Sequence, residues 1–162
     1  MNPDDPAAVD ILRRAMVARI ATISRTGRPH VNPLYFVYGD GKIYLGTSDR
    51  TLAALNVKAN PRVAILFNVE REPSDRRVMR IRGRATVRTD SGLHRWYVRR
   101  DASKYFMSWR GLGNALVHAR LLSVVRRYLS SGTKGKRCVL EVLPDEAELL
   151  TTPKPFSDRE VS

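Results

Sequence analysis

Gly41-Lys42-Ile43-Tyr44-Leu45-Gly46-Thr47-Ser48-Asp49-Arg50-Thr51-Leu52-Ala53-Ala54-Leu55-Asn56-Val57-Lys58-Ala59-Asn60-Pro61 joins an apolar run, a polar turn and a helical stretch without a break. The run at 42–46 is short, β-branched and aromatic, and glycine flanks it, so it predicts a strand. Thr47 to Thr51 are cap-type residues placed directly before Leu52, which predicts a short helix over 52–59. Asn60-Pro61 stops that helix, because the residue before proline is pushed out of the α region. A strand that turns straight into a helix start leaves unpaired N–H groups at the junction.

The flanking residues extend the pattern. Residues 19–24 (Arg-Ile-Ala-Thr-Ile-Ser) alternate and predict a strand, and Arg25-Thr26-Gly27-Arg28 forms a hairpin turn. The run 30–38 carries Val31, Leu34, Tyr35, Phe36 and Val37, and Gly39-Asp40-Gly41 closes it with a second turn. Three strands joined by tight turns make an antiparallel meander rather than a parallel α/β sheet. Beyond the helix, 62–69 is almost continuously apolar and predicts a strand buried on both faces. Residues 78–88 alternate, with Arg80, Arg82, Arg84 and Arg88 on one side and Met79, Ile81, Gly83 and Ala85 on the other.

Asp4-Asp5-Pro6 caps an opening helix, and further helices are expected over 91–102 and 112–129. Residues 130–136 read as a flexible linker. A last strand over 137–142 is expected to end at Pro144, and 151–162 forms a loose tail. Six or so strands with inserted helices predict a mainly β protein, a small closed or split barrel. It occupies one domain over 1–150, with a helical insertion at about 89–130.

Composition fits this size. A chain of 162 residues with 43% hydrophobic and 28% charged residues builds one ordinary core. The single cysteine, Cys138, excludes an internal disulfide and fits a reducing compartment. The N-terminal residues lack the basic start and apolar run of a secretory signal. No apolar stretch approaches the roughly 20 residues that span a bilayer. A cytoplasmic location without membrane attachment is the expectation. Charge is the outlier: the formal net charge is +13, and 18 basic against 4 acidic residues fall within 71–137. Such a field attracts nucleic acid, acidic lipid or a phosphorylated or carboxylated small ligand, and it is equally the field of a solvated arginine-rich surface.

The junction at 47–51 is the most specific chemical feature. A helix start presents free N–H groups and the positive end of its dipole, which suits a phosphate. Hydroxyls of Thr47, Ser48 and Thr51 add donors, and Arg50 adds a charged fork. The plainer reading is helix capping by Ser48 or Asp49 with no ligand, and Asp49 as a carboxylate would compete with an anion. The arginine strand could follow a nucleic-acid backbone, yet a solvated or interface face is the commoner use of such a row. Stacking aromatics are absent from it and sit at Trp96, Tyr97, Tyr105, Phe106 and Trp109. No DNA- or RNA-binding motif appears, so nucleic acid is not the expected partner. His30, His94 and His118 lack partners at metal-ligand spacing, and Cys138 reads as a structural thiol. With no nucleophile or phosphate-loop motif present, any chemistry is expected to come from a cofactor.

Taken in order, Arg19-Ile-Ala-Thr-Ile-Ser, Gly27-Arg28-Pro29-His30-Val31-Asn32-Pro33-Leu34-Tyr35-Phe36, Gly41-Lys42-Ile43-Tyr44-Leu45 and Asn56-Val57-Lys58-Ala59-Asn60-Pro61-Arg62-Val63 resemble the pyridoxamine 5′-phosphate oxidase-like family. The similarity runs over roughly 9–87, and the strand from Arg137 fits it too. The resemblance implies a six-stranded flavin-binding split barrel and a homodimer with two cofactor sites at the subunit interface. The implied cofactor is FMN or the deazaflavin coenzyme F-420. It implies that Asn32, Pro33 and Leu34 lie against the cofactor ring, and that Thr47, Ser48, Arg50 and Thr51 hold the phosphate.

Departures narrow what is implied. Pyridoxamine phosphate oxidases proper have an arginine where Asn32 stands and a lysine near Val37. Most of the family has a lysine early in the short helix, where this chain has Leu52-Ala53-Ala54 and only Arg50 close by. These differences argue against vitamin B6 oxidation and for a broader flavin- or deazaflavin-dependent oxidoreductase acting on a small-molecule substrate. A non-catalytic flavin- or haem-binding split barrel is the alternative, and a basic nucleic-acid binder is the third.

Overall fold

A computed structural model describes residues 2–70, 72, 74–105 and 135–150. The elements run α1 (Pro6–Arg14), β1 (Ala18–Ile23), β2 (Pro29–Leu34), β3 (Phe36–Gly39), β4 (Lys42–Ser48), α2 (Leu52–Ala59), β5 (Arg62–Asn68), β6 (Val78–Arg88), α3 (Ser91–Tyr105) and β7 (Arg137–Leu150). The strands form one antiparallel sheet in the order β2-β1-β5-β6-β7-β4-β3. Its two outermost strands, β2 and β3, are separated in the chain by Tyr35 alone. A sheet whose opposite edges are joined by one residue must roll until those edges approach. The result is the expected mainly β split barrel.

It holds seven strands, not six, because the expected run over 30–38 divides at Tyr35. Leu34 pairs with Ala18 of β1, whereas Phe36 pairs with Leu45 of β4. No straight strand can serve both edges, and Pro33, which has no N–H to donate, lies just before the break. The turns follow local chemistry. Asp40 (φ 53°) and Gly41 (φ 69°) are both left-handed between paired Gly39 and Lys42, the two-residue hairpin geometry that matches strand twist. Asp5 caps α1 by accepting from the Ala7 N–H at 3.0 Å, with Pro6 in the first turn.

The core lies inside the roll. Ile20, Phe36, Leu45, Ile65, Phe67, Ile81 and Leu140 are wholly buried there, and the Phe36 and Phe67 rings pack at 4.8 Å. Burying each such side chain contributes roughly 1.5–3 kcal/mol. Helix α1 adds Ile11 and Leu12 to this core, and α2 adds Ala53, Ala54 and Val57. A smaller cluster of Val37, Tyr44, Tyr97 and Val139 packs under α3.

Three strands depart from expectation or refine it. β5 alternates instead of burying both faces: Val63, Ile65 and Phe67 point in, while Arg62 and Leu66 are exposed. β7 does not end at Pro144 but continues to Leu150. A register shift between Arg82 and Gly83 sets Gly83 opposite Pro144, and the pairing continues past the proline. The arginine row of β6 is as expected, but it is matched by acids on β7. Arg80 meets Glu148, Arg82 meets Glu146 at 3.0 Å, and Arg88 meets Glu141 at 3.3 Å. Arg84 alone in the row enters no ion pair among the described residues. Helix α3 runs three residues beyond the expected 102 to Tyr105. The expected helix over 112–129 and the tail over 151–162 lie outside the described residues.

Candidate functional site

The turn from β4 into α2 is fixed by its own hydroxyls. Thr51, not Ser48 or Asp49, is the N-cap: its Oγ1 accepts from the Ala54 N–H at 3.4 Å. The same hydroxyl donates to the Ser48 carbonyl at 2.8 Å and lies 2.9 Å from the Thr47 hydroxyl. Because Thr51 has one proton and gives it to Ser48, Thr47 donates to Thr51. These two threonines therefore form the frame of the turn. The N–H groups of Leu52 and Ala53, at the start of the helix, have no intrahelical acceptor.

Asp49 is tied to the segment before β7: its carboxylate accepts from the Lys136 N–H at 2.9 Å, and its own N–H donates to the Lys136 carbonyl at 3.0 Å. That bond holds one carboxylate oxygen but leaves its charge in place. It also brings in two cations that spacing along the chain did not reveal, Lys136 and Arg137, the latter opposite Ser48 in the β4–β7 ladder. Arg50, Lys136 and Arg137 are all exposed, and none enters an ion pair among the described residues. Gly135 packs over the turn so closely that a Cβ there would lie 2.4 Å from Ser48 Oγ. Ser48 is therefore buried beneath this segment, and its hydroxyl has no hydrogen-bond partner among the described residues.

β2 supplies the other half. Asn32 and Leu34 pair with Ile20 and Ala18 and share their inward face, whereas Pro33 pairs with Arg19 and faces outward. The Oδ1 of Asn32 is buried without a hydrogen-bond partner among the described residues. Helix α2 packs on both β2 and β4, and these two strands also touch, so the elements that carry Asn32, Leu34, Thr47, Arg50 and Thr51 adjoin one another. The helix is held by a buried bond from Asn56 Nδ2 to Thr22 Oγ1 of β1 at 3.0 Å.

The donor set fits a phosphate, with two free N–H groups at a helix start and three exposed cations beside them. The unpartnered Asn32 oxygen fits an N–H of a planar ring. Among the described residues there is no cluster of His, Cys, Asp or Glu that could hold a metal. No described helix is long and apolar enough to cross a membrane. Cys138 is buried in β7, and burial pushes its thiol up, away from thiolate reactivity.

A second polar group was not anticipated. On α3, Tyr97, Asp101 and Lys104 face the sheet. The Tyr97 hydroxyl lies 3.2 Å from Asp101 and 3.3 Å from the Tyr35 carbonyl, and Lys104 approaches the Leu12 and Phe36 carbonyls at 3.4 and 3.5 Å. Tyr105 donates to the Met16 carbonyl at 2.7 Å. Burial pushes Asp101 and both tyrosines up and brings Lys104 down to about 8. The signal was present in the sequence: Asp101 and Lys104 continue the stripe Leu93, Trp96, Tyr97, Arg100 at helical spacing, where apolar residues are expected.

The sequence profile described as pyridoxamine 5′-phosphate oxidase matches residues 4–150. No curated protein matches the chain by sequence. Among solved structures, a conserved hypothetical protein from Mycobacterium tuberculosis superposes with a TM-score of 0.67 at 16% identity, covering 96% of this chain and 94% of that one. An F420 reductase gives 0.58 at 18% identity, covering 86% and 94%. The heme storage protein HutZ from Vibrio cholerae gives 0.62 at 17% identity, covering 90% and 93%. At these identities the structural likenesses establish the fold alone.

Proposed function

This chain belongs to the pyridoxamine 5′-phosphate oxidase family, and from that membership we propose that it is a flavin- or deazaflavin-dependent oxidoreductase. The observation that carries the reading is the turn at the start of α2: a threonine-braced helix start whose first N–H groups lack an intrahelical acceptor, beside the cations Arg50, Lys136 and Arg137, which enter no ion pair among the described residues. FMN or coenzyme F-420 fits that turn through its phosphate. Bound there, the group supplies hydride transfer to or from a small molecule.

The chain's own residues bind and orient. Arg50 pairs with the phosphate, the Leu52 and Ala53 N–H groups donate to it, and Thr47 and Thr51 keep the helix start in register. Asn32 accepts from the ring, and Leu34 shields the ring's edge from water. Ser48 stiffens the turn beneath Gly135. Pro33, on the outward face of β2, acts at the subunit contact. Vitamin B6 oxidation is not proposed, because Asn32 stands where those enzymes carry an arginine. A cytoplasmic location and a homodimer belong to the same reading.

The test is an absorbance titration with FMN and then with F-420. Arg50→Ala should weaken the cofactor that binds by about 1.5–3 kcal/mol, the range for a charge-assisted hydrogen bond. Unchanged affinity removes Arg50 from the site, and failure of both cofactors to bind sinks the oxidoreductase reading.

A second reading is favoured by one observation: Asn32, Leu34, Thr47, Ser48, Arg50 and Thr51 include no general acid or base for pH 7. Such a site equally suits a protein that stores a planar ligand, flavin or haem, without turnover. Tight binding of either, with no oxidation or reduction by added donors, supports storage. The nucleic-acid reading loses ground, since Arg80, Arg82 and Arg88 are already matched by glutamates.

A further inference from the structure

We propose that the seam between α1, β3 and α3 is a second, separate binding site, for a small organic anion with an apolar body, a phosphate monoester or a carboxylate. An open pocket of about 490 Å³ lies there, a size ordinary for small-molecule sites. Arg13 of α1 and Arg99, Arg100 and Lys104 of α3 line it. The half-buried Tyr38 and the exposed Ser103 also line it, above the buried Leu12 and Val37.

What marks the pocket is that four cations line one concavity. Some arginines elsewhere are ion-paired, Arg14 and Arg77 with Asp10 and Asp75, and Arg80, Arg82 and Arg88 with glutamates of β7. In the pocket, Arg13, Arg99 and Arg100 enter no ion pair among the described residues, although Arg100 lies 5.1 Å above the Trp96 ring. Lys104 sits deepest, with its ammonium 3.5 Å from the Phe36 ring centroid and within reach of two carbonyls. Its nearest acids are held elsewhere or set back. Asp101 is bonded to Tyr97, Glu70 to the Met16 N–H and Arg19, and Asp4 receives the Tyr38 hydroxyl at the rim. Four like charges converging on one concavity repel one another unless an anion joins them. An arginine fork suits phosphate and carboxylate, and the half-buried Tyr38 with the arginine stems beside it suits a small hydrocarbon or ring attached to that anion.

This pocket is not the cofactor turn. Its strand residues Val37 and Tyr38 pair with Tyr44 and Ile43, whereas the turn begins at Thr47 on the same β4. Three to four residues of strand separate them, roughly 10–13 Å.

Calorimetric titration of the full chain with phenyl phosphate, benzoate and benzyl alcohol tests the site. Arg13 and Arg99 are exposed, so their replacement leaves the core untouched. Phenyl phosphate or benzoate should bind saturably and benzyl alcohol should not. The Arg13→Ala/Arg99→Ala double variant should lose at least tenfold in anion affinity, and Arg50→Ala should retain it. FMN or F-420 binding, if present, should be unaltered by the double variant, so failure here and failure of the cofactor reading are told apart. No saturable anion binding, equal affinity in the double variant, or loss with Arg50→Ala instead each overturns the proposal.

Discussion

At the scale of single residues, the contacts that matter are those a change of one atom disturbs. Gly83 is the clearest. A Cβ there would lie 2.3 Å from the Leu143 carbonyl oxygen, a backbone atom that cannot swing away. Gly83→Ala should destabilise the fold by about 1–3 kcal/mol or more, read as a lower urea midpoint with an unchanged slope. A wild-type midpoint means the backbone at the register shift can absorb the methyl. Lys104 gives a pH signature. Burial lowers its folded value to about 8, whereas the unfolded chain holds the proton to about 10.4. Between these values the unfolded state binds more protons, so this lysine's contribution to stability rises with pH from about 8 to 10. Asp101, Glu70, Arg13, Arg99 and Arg100 face it and set the size of the effect. Denaturation at several pH values should show a steeper rise in the wild type than in Lys104→Met, and parallel curves would contradict a buried lysine. Legibility at this scale was uneven. Thr47, Arg50 and Thr51 could be read from their position before a helix. Lys136 and Arg137 could not, because only the β4–β7 register brings them beside Ser48.

Among elements, α2 is the one on which the candidate site depends. Its eight residues are too few to be stable alone, so packing on β1, β2, β4 and β6 maintains it. The buried Asn56–Thr22 bond fixes its rotation. Asn56→Ala leaves the Thr22 hydroxyl buried without that partner and should cost about 1–3 kcal/mol. Cofactor affinity should fall with it, because the helix start shifts. A stability loss with unchanged affinity would show that the start is held by Thr47 and Thr51 alone. The same distinction between local and distant causes explains which elements were read correctly. Turns with Asp-Gly, a capped α1 and the proline stop after α2 have local causes, and all appear where the sequence put them. β5 was misjudged because Ala64 and Leu66 are apolar yet face outward, a choice made by the neighbouring strands. β7 was cut short because a proline normally ends a strand, whereas here the register skips Asp145, beside that proline, and the pairing resumes.

For the whole molecule, the open question is assembly. Ile23, Val31 and Leu66 are exposed on the outer face of β2–β1–β5, beside Pro33, an apolar strip that a lone chain would leave in water. If the homodimer forms there, Val31→Glu should give monomers by sedimentation or light scattering, with cofactor binding reduced because Pro33 and Asn32 adjoin the contact. A wild-type mass in that variant places the subunit contact elsewhere. By itself the sequence determined the fold class, the helix start and the family, because alternation, caps and turn residues act over a few neighbours; the expected meander is instead two hairpins, β1–β2 and β3–β4, at opposite edges of the sheet. The tertiary structure alone decided the rest. It rolled the sheet about Tyr35, matched Arg80, Arg82 and Arg88 with β7 glutamates, and left Arg13, Arg99 and Arg100 of the α1–β3–α3 seam without an ion pair among the described residues. Each of these depends on register between strands and helices far apart in the chain, and hydrophobic burial chooses that register for the molecule as a whole.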